Sequence, residues 1–451
     1  MTETAMPDRP VVVIGAGPQG LAAAAHLVER GQPVMVVEAG NGPGAAVAEW
    51  GHVRLFSAWP ELVDPAVARL LAPTGWSAPA GGYPTGREWI DAYLAPLADM
   101  LADRVRYGTR VVGVSRRSRD RLVSAGRAEQ PFIVHVVSNG IESTVAARAV
   151  IDASGTWTQP NPARADGYPA RGERAAAADG TLTYLPPTPE QAAGLAGRHV
   201  VVVGSGHSAM TAVIELVTVT RRQPGTRISW VLRRGTVGDT FGGGSADELP
   251  QRGALGLRAR QAVEDGLVEL VTGFRVEQIA PADPESGRVV VIAEDGRRLV
   301  PADRVVVLTG FRPDLSLLSE MRLELDPILQ APVRLALEID PNLHSCGSVS
   351  PHGAVELAHP EPDLYLVGMK SYGRAPTFLA MTGYEQVRSV AAELSGDHEA
   401  AARVELTLPD TGVCGGAGLF DDPAAAAGGG CCGSPASGPQ LVSVTGLLSP
   451  A

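Results

Sequence analysis

Lysine is almost missing from this chain: of its 38 basic side chains, only Lys370 is a lysine. Acidic residues number 49 and the net charge is -11. No basic stripe or aromatic-interleaved basic patch breaks that balance, which sets nucleic-acid partners aside. Cysteine is scarce, with four in 451 residues, too few for a secreted disulfide scaffold and in keeping with a reducing cytoplasm. No apolar run approaches the roughly 18 residues of a membrane helix. No basic segment followed by an apolar core precedes Val11, so no signal peptide is expected. Hydrophobic residues are plentiful at 45%, and the length predicts two or three domains.

The most informative stretch is VVVIGAGPQGLAAAAHLVERGQPVMVVEAG, Val11 to Gly40. It reads strand, tight turn, helix, strand. Gly15, Gly17, Pro18, Gln19 and Gly20 belong to the GxGxxG turn. Gly15 permits the sharp bend, Gly17 leaves room for a pyrophosphate, and Gly20 lets helix and strand pack closely. The helix N-terminus offers free N–H groups to phosphates. Glu38 closes the second strand, where an acid accepts the ribose hydroxyls of an adenosine. An acid there, behind a strand–turn–helix, makes a dinucleotide fold the expected reading.

AEWGHVRLFSAWPELVDP follows, with Trp50, Arg54, Phe56 and Ser57. Two readings stand: a loop laid against a flavin ring, or ordinary aromatic core plugs. PTGREWIDAYLAPLADML has helical spacing. VVGVSRR, FIVHVVS and STVAARAVIDASG read as an antiparallel meander. It ends in the small residues Ala153 and Gly155, where a dinucleotide can approach. From Asn161 to Gly197 the Pro, Gly and Ala content predicts a linker.

The opening pattern then returns in RHVVVVGSGHSAMTAVIELVTV. Gly204, Ser205, Gly206, His207 and Ser208 lead into Ala209 as GxGxxA. The next strand ends in Arg233 and Arg234 instead of an acid. Arginines there suit the 2′-phosphate of NADP; the alternative is two surface arginines. A second meander follows, and VVVLTG with Gly310 repeats the place of AVIDASG. The expected class is α/β, with two Rossmann-like dinucleotide-binding domains, each with an antiparallel meander, one taking a flavin and the other NADPH. The expected spans are 1–165 and 304–400 for FAD, 166–303 for an inserted NADPH domain, and 401–451 for a Gly/Ala/Cys-rich tail.

GAGPQG, DASG, GSGHSA, LTGFRPD and PDLYLVGMKSYG together resemble the two-dinucleotide-binding flavoproteins, and among them the class B flavin-containing monooxygenases. Gly368 followed by Met369, where the disulfide-reductase branch has Gly-Asp, looks more like the monooxygenase branch. No CxxC lies in either module, which counts against thiol–disulfide exchange there. The monooxygenase fingerprint FxGxxxHxxx(F/Y) has no match between Asn161 and Arg198. HSCGSVSPHG and VGMKSYGRAPTFLAMTGYEQVRSV resemble the flavoprotein monooxygenases of arsenic-resistance operons. The resemblance implies NADPH-dependent reduction of FAD. It then implies oxygen transfer from a flavin C4a-hydroperoxide to a soft nucleophile such as trivalent arsenic or an organoarsenical, with dioxygen and a small molecule as the partners.

Within that frame Lys370 is read either as a cation stabilising the reduced ring, with Tyr372 and Arg374 in the same pocket, or as a surface lysine. Cys414, Cys431 and Cys432 in the tail are soft ligands for a metalloid, or incidental thiols. Cys346 reads as an inert buried cysteine. Two other functions remain open: an NADPH-dependent reductase of a small acceptor, and a metalloid-binding or redox-sensing flavoprotein that works through its tail.

Overall fold

The computed structural model describes residues 6, 8–242, 244, 247, 249–283, 285–341, 349–375 and 378–406. Two five-stranded parallel sheets organise them. The first runs Leu364–Leu366, Ala149–Asp152, Val11–Ile14, Val34–Val37, Val105–Arg106. The second runs Glu269–Val271, Arg227–Val231, His199–Val203, Arg304–Val307, Leu182–Thr183. The central strands VVVI and HVVVV are buried at every residue. A parallel sheet covered on both faces demands such unbroken apolar runs, which is why they stand out in the sequence.

The helix Pro18–Glu29 covers the first sheet with a face of alanines and leucines from Gly20 to Leu27. It packs against the helix Ala380–Leu394, itself buried over most of its length. In the second domain His207–Arg222 packs beside Pro250–Glu264. Each buried Val or Leu side chain in these cores contributes about 1.5–3 kcal/mol. A three-stranded antiparallel sheet, Thr109–Arg116, Phe132–Ser138 and Ile141–Ala147, forms the first meander. The second meander is a two-stranded ribbon, Val276–Pro281 with Val289–Ala293.

Three sequence expectations need correction. The stretch from Asn161 to Gly197 is not a plain linker. It contains the helices Glu173–Ala178 and Pro189–Ala193 and the edge strand Leu182–Thr183 of the second sheet. The boundary expected at residue 303 falls one strand early, because Arg304–Val307 pairs in parallel with Val200–Val203. The chain returns to the first sheet only at Leu364–Leu366, which pairs with Ala149–Asp152. The helix expected from PTGREWIDAYLAPLADML spans Gly86 to Met100, but Ile90–Leu94 is wound as a π turn. Pro96 has no N–H to give the carbonyl four residues back. That carbonyl, on Ala92, instead accepts Trp76 Nε1 at 2.9 Å.

The meander is tied to the return strand by a buried ion triad. Glu361 Oε1 accepts Arg116 Nε at 2.8 Å, and Oε2 accepts Arg127 Nη2 at 2.7 Å. The Arg116 guanidinium also lies 3.5 Å over the Phe132 ring. Burial pushes the Glu361 pKa up, but the arginine bonds outweigh it and the net shift is downward. Burial pushes neighbouring His359 down to about 4. Glu361→Ala leaves two buried guanidiniums without their carboxylate, and a loss of about 3–5 kcal/mol is expected in chemical denaturation. Both groups have depressed native pKa values, so unfolding takes up protons in acid. The melting temperature should therefore fall as pH is lowered from 6.5 toward 4, a scan that checks the sign directly.

Candidate functional site

At the first turn Gly15 has φ +101°, and a Cβ there would lie 2.9 Å from the Ala153 carbonyl oxygen. A Cβ on Gly20 would collide with the carbonyl of Gly15. These two glycines serve the packing of strand and helix. Gly17 is different: a Cβ there would meet nothing within 4 Å. Its openness answers no need of the protein's own packing, and it sits at the N-terminus of a twelve-residue helix. That is the cradle a pyrophosphate fits. Glu38 is locked beside it, its carboxylate accepting Ala16 N at 2.7 Å and Gly40 N at 2.6 Å. Gln19 is held between Gly368 and Gly383, where a Cβ on either would press on its side chain. Gln19 Nε2 donates to Ala380 O at 3.0 Å, while its buried Oε1 has no partner.

The second turn repeats this logic. Gly204 has φ +130°, and a Cβ there would collide with the Leu308 carbonyl. At Gly206 the space is open again. His207 begins the following helix. Burial, then the nearby Arg252 charge, pushes its pKa down to about 4, so the imidazole is neutral at pH 7. Arg252 is itself held by a bidentate, buried pair with Asp247.

Both turns open onto one cleft of about 1260 Å³. Gly17 and Glu38 line it from the first domain, and His207 and Ser208 from the second. The two chain crossings between the domains run along it, joined by an isolated bridge between Pro160 and Phe311. Asn161 fastens them, its backbone N–H donating to Gly310 O at 2.8 Å and its side chain accepting Arg312 Nε at 2.8 Å. Trp157 and Phe311, one on each crossing, stack at 4.6 Å, and Trp50 adds a third ring 6.5 Å from Trp157. Across the cleft, Phe56 meets the His207 ring at 5.3 Å.

Of the residues singled out from the sequence, Gly15, Gly17, Pro18, Gln19, Glu38, Trp50, Arg54, Ser57, Ala153, Gly155, His207, Ser208, Gly368 and Met369 line this cleft. The Arg54 guanidinium is turned toward the Tyr83 carbonyl and lies 3.6 Å from Glu88. Gly20 and Gly204 are packed against neighbouring backbone, Ser205 and Gly206 belong to the second turn without lining the cleft, and Gly310 is a bend in a crossing with φ +92°. Arg233 is exposed and Arg234 half-buried, just past the strand Arg227–Val231. The trio Lys370, Tyr372 and Arg374 does not form a pocket. Lys370 is 0% exposed and bonds Asp152 Oδ2 at 2.6 Å, so it is neither a surface lysine nor a residue of the cleft wall. Tyr372 is buried against Phe378 and His352. Arg374 is exposed and donates to Gln330 Oε1 at 2.7 Å.

The sequence reading passed over Trp157, Phe311 and Asp152. Each carried a signal: the two aromatics follow equivalent glycine-ended strands of the repeat, and Asp152 is an acid at the end of a buried apolar strand. Cys346, Cys414, Cys431 and Cys432 lie outside the described residues. Among the described residues no group of His, Cys, Asp or Glu is placed to hold a metal ion, and no helix is long and apolar enough to cross a membrane. Because Lys370 is the sole lysine, an amine-reactive reagent should leave it unlabelled in the native chain and modify it after unfolding. Peptide mass analysis of the Lys370 segment under both conditions reads this out; native labelling would contradict its burial.

Comparison with known proteins agrees with this architecture. Residues 9–365 match the family model described as pyridine nucleotide-disulphide oxidoreductase. A ferredoxin–NADP reductase of Saccharopolyspora erythraea is 28% identical over 330 residues, which is 70% of this chain and 77% of that protein. The bacillithiol disulfide reductase Bdr of Bacillus cereus superposes with a TM-score of 0.64 at 20% identity, over 86% of this chain and 99% of its own. A flavin-containing monooxygenase from Stenotrophomonas maltophilia does so with 0.53 at 23% identity, over 86% and 98%. At such identities the structural likeness speaks for the fold alone. The match over most of the chain, with two glycine turns facing one cleft, makes it a member of the pyridine nucleotide-disulphide oxidoreductase family, an NAD(P)H-dependent FAD oxidoreductase.

Proposed function

We propose that this chain is an NADPH-dependent FAD monooxygenase acting on a small, soft nucleophile that enters the cleft. One observation carries the reading: both nucleotide cradles open on a single cleft walled by the aromatic rings of Trp50, Trp157 and Phe311. The sequence has no CxxC pair in either nucleotide module, so a redox dithiol of that kind does not take the electrons there and a diffusible acceptor is the favoured outlet. Bound FAD supplies two-electron acceptance from a reduced nicotinamide and onward delivery to dioxygen.

The chain's own residues do the rest. The Gly15–Gly20 turn and the helix behind it hold the pyrophosphate of FAD, and Glu38 takes its adenosine ribose. Gly206, His207 and Ser208 hold NADPH from the opposite side, with Arg233 and Arg234 at its 2′-phosphate. Trp50, Trp157 and Phe311 exclude water from the wall between them. The resemblance to proteins of arsenic-resistance operons makes trivalent arsenic the first soft nucleophile to offer. A second reading, NADPH-dependent reduction of a small acceptor or partner protein, draws support from the ferredoxin–NADP reductase relative.

Oxygen uptake measured against oxidised product and released peroxide separates the two. With trivalent arsenic, a sulfide or an amine present, oxygen transfer predicts one product per oxygen consumed. Peroxide accounting for all the oxygen with every nucleophile, together with faster turnover on a ferredoxin, would sink the monooxygenase reading. For the second module, Arg233→Ala with Arg234→Ala should raise KM for NADPH at least about tenfold and leave that for NADH nearly unchanged. An equal effect on both cofactors would remove the arginines from 2′-phosphate recognition.

A further inference from the structure

Behind the first cradle lies a charge pair that the nucleotide-binding motifs do not require. Lys370 and Asp152 are both 0% exposed. They come from different segments: Asp152 ends the strand beside Val11–Ile14, and Lys370 follows the Gly368–Met369 turn. Lys370 Nζ donates to Asp152 Oδ2 at 2.6 Å and to Ser154 Oγ at 2.9 Å. Ser154 in turn donates its hydroxyl proton to Asp152 Oδ1 at 2.6 Å and its amide N–H to the same oxygen at 3.0 Å. Ser154 is exposed and lines the cleft beside Gly155.

Desolvating two charges is costly, and an apolar pair of similar volume serves stability as well or better. A pair kept in spite of that cost calls for a positional explanation. The proton count supplies one. The single proton of Ser154 is committed to Asp152, and one lone pair is committed to the ammonium. What remains toward the cleft is an acceptor, held in one direction by two charged neighbours.

We propose that the Lys370–Asp152 pair is a positioning device that fixes Ser154 Oγ as a hydrogen-bond acceptor for a hydroxyl or imide N–H of the flavin nucleotide. The inference rests on the first module holding FAD. The pair also joins the segments Asp152–Gly155 and Gly368–Lys370, both of which reach the cleft, so it sets their separation as well as the hydroxyl's direction. Lys370 then acts through Ser154 without touching the cofactor.

The test is FAD titration of the full apo chain, followed by fluorescence quenching and by the visible spectrum of bound flavin. Ser154→Ala, at an exposed position, keeps the fold and should weaken FAD about three- to tenfold, the scale of one lost hydrogen bond to a well-placed acceptor. The flavin absorbance maximum should shift with it. The double variant Asp152→Asn with Lys370→Met removes both charges together, avoids an unpaired buried ion, and should reproduce the same loss and spectral shift. Lys370→Arg, which keeps a cationic donor, should retain much of the wild-type affinity. Wild-type affinity and spectrum in Ser154→Ala would overturn the proposal. So would a double variant that binds as wild type while Ser154→Ala does not. If the wild-type chain takes up no FAD at all, the assignment of the first module fails, an outcome distinct from either.

Discussion

Where each central strand turns into a helix, backbone approaches backbone too closely for any side chain, and the architecture depends on those contacts. At Gly15 and Gly20 the turn is pressed against Ala153 and against itself; at Gly204 it is pressed against Leu308. No side chain larger than hydrogen fits these places, so the helix can start directly over the sheet edge. Its first N–H groups therefore point into the space between the domains. That constraint is applied twice in one chain, and it brings the starts of both helices, Pro18–Gln19 and His207–Ser208, to the cleft.

Two crossings then fix how the domains face each other. Asn161 satisfies both crossing backbones at once, and the Trp157–Phe311 stack covers them on the cleft side. The aromatic wall is thus part of the connection between the domains as well as part of the site. His207, kept neutral by burial and by Arg252, meets Phe56 of the first domain across the cleft. An uncharged imidazole at that point adds no cation between the two turns.

The parts of this design that are local in sequence were legible in it. Glycine spacing, the unbroken valine strands and the contrast between Glu38 and Arg233–Arg234 are short-range patterns with fixed physical meaning. A buried parallel strand looks the same whichever sheet accepts it, so nothing local in Arg304–Val307 marks its pairing with Val200–Val203. The short elements between Asn161 and Gly197 were invisible because Pro, Gly and Ala content hides segments that are stabilised by packing on a neighbouring sheet. Lys370 shows the limit most clearly. Its partner Asp152 lies 218 residues away, and neither the buried nor the exposed fate of a lone lysine is written in its neighbours.

The tryptophans give the cleft an optical property. Three of the chain's six, Trp50, Trp89 and Trp157, line it. Indole emission overlaps flavin absorption, and a flavin seated among these rings lies well within the range of resonance energy transfer. The empty chain should glow brightly in the near ultraviolet and the loaded one dimly. Cofactor occupancy in this protein can thus be followed without a label, from the same rings that close off its wall.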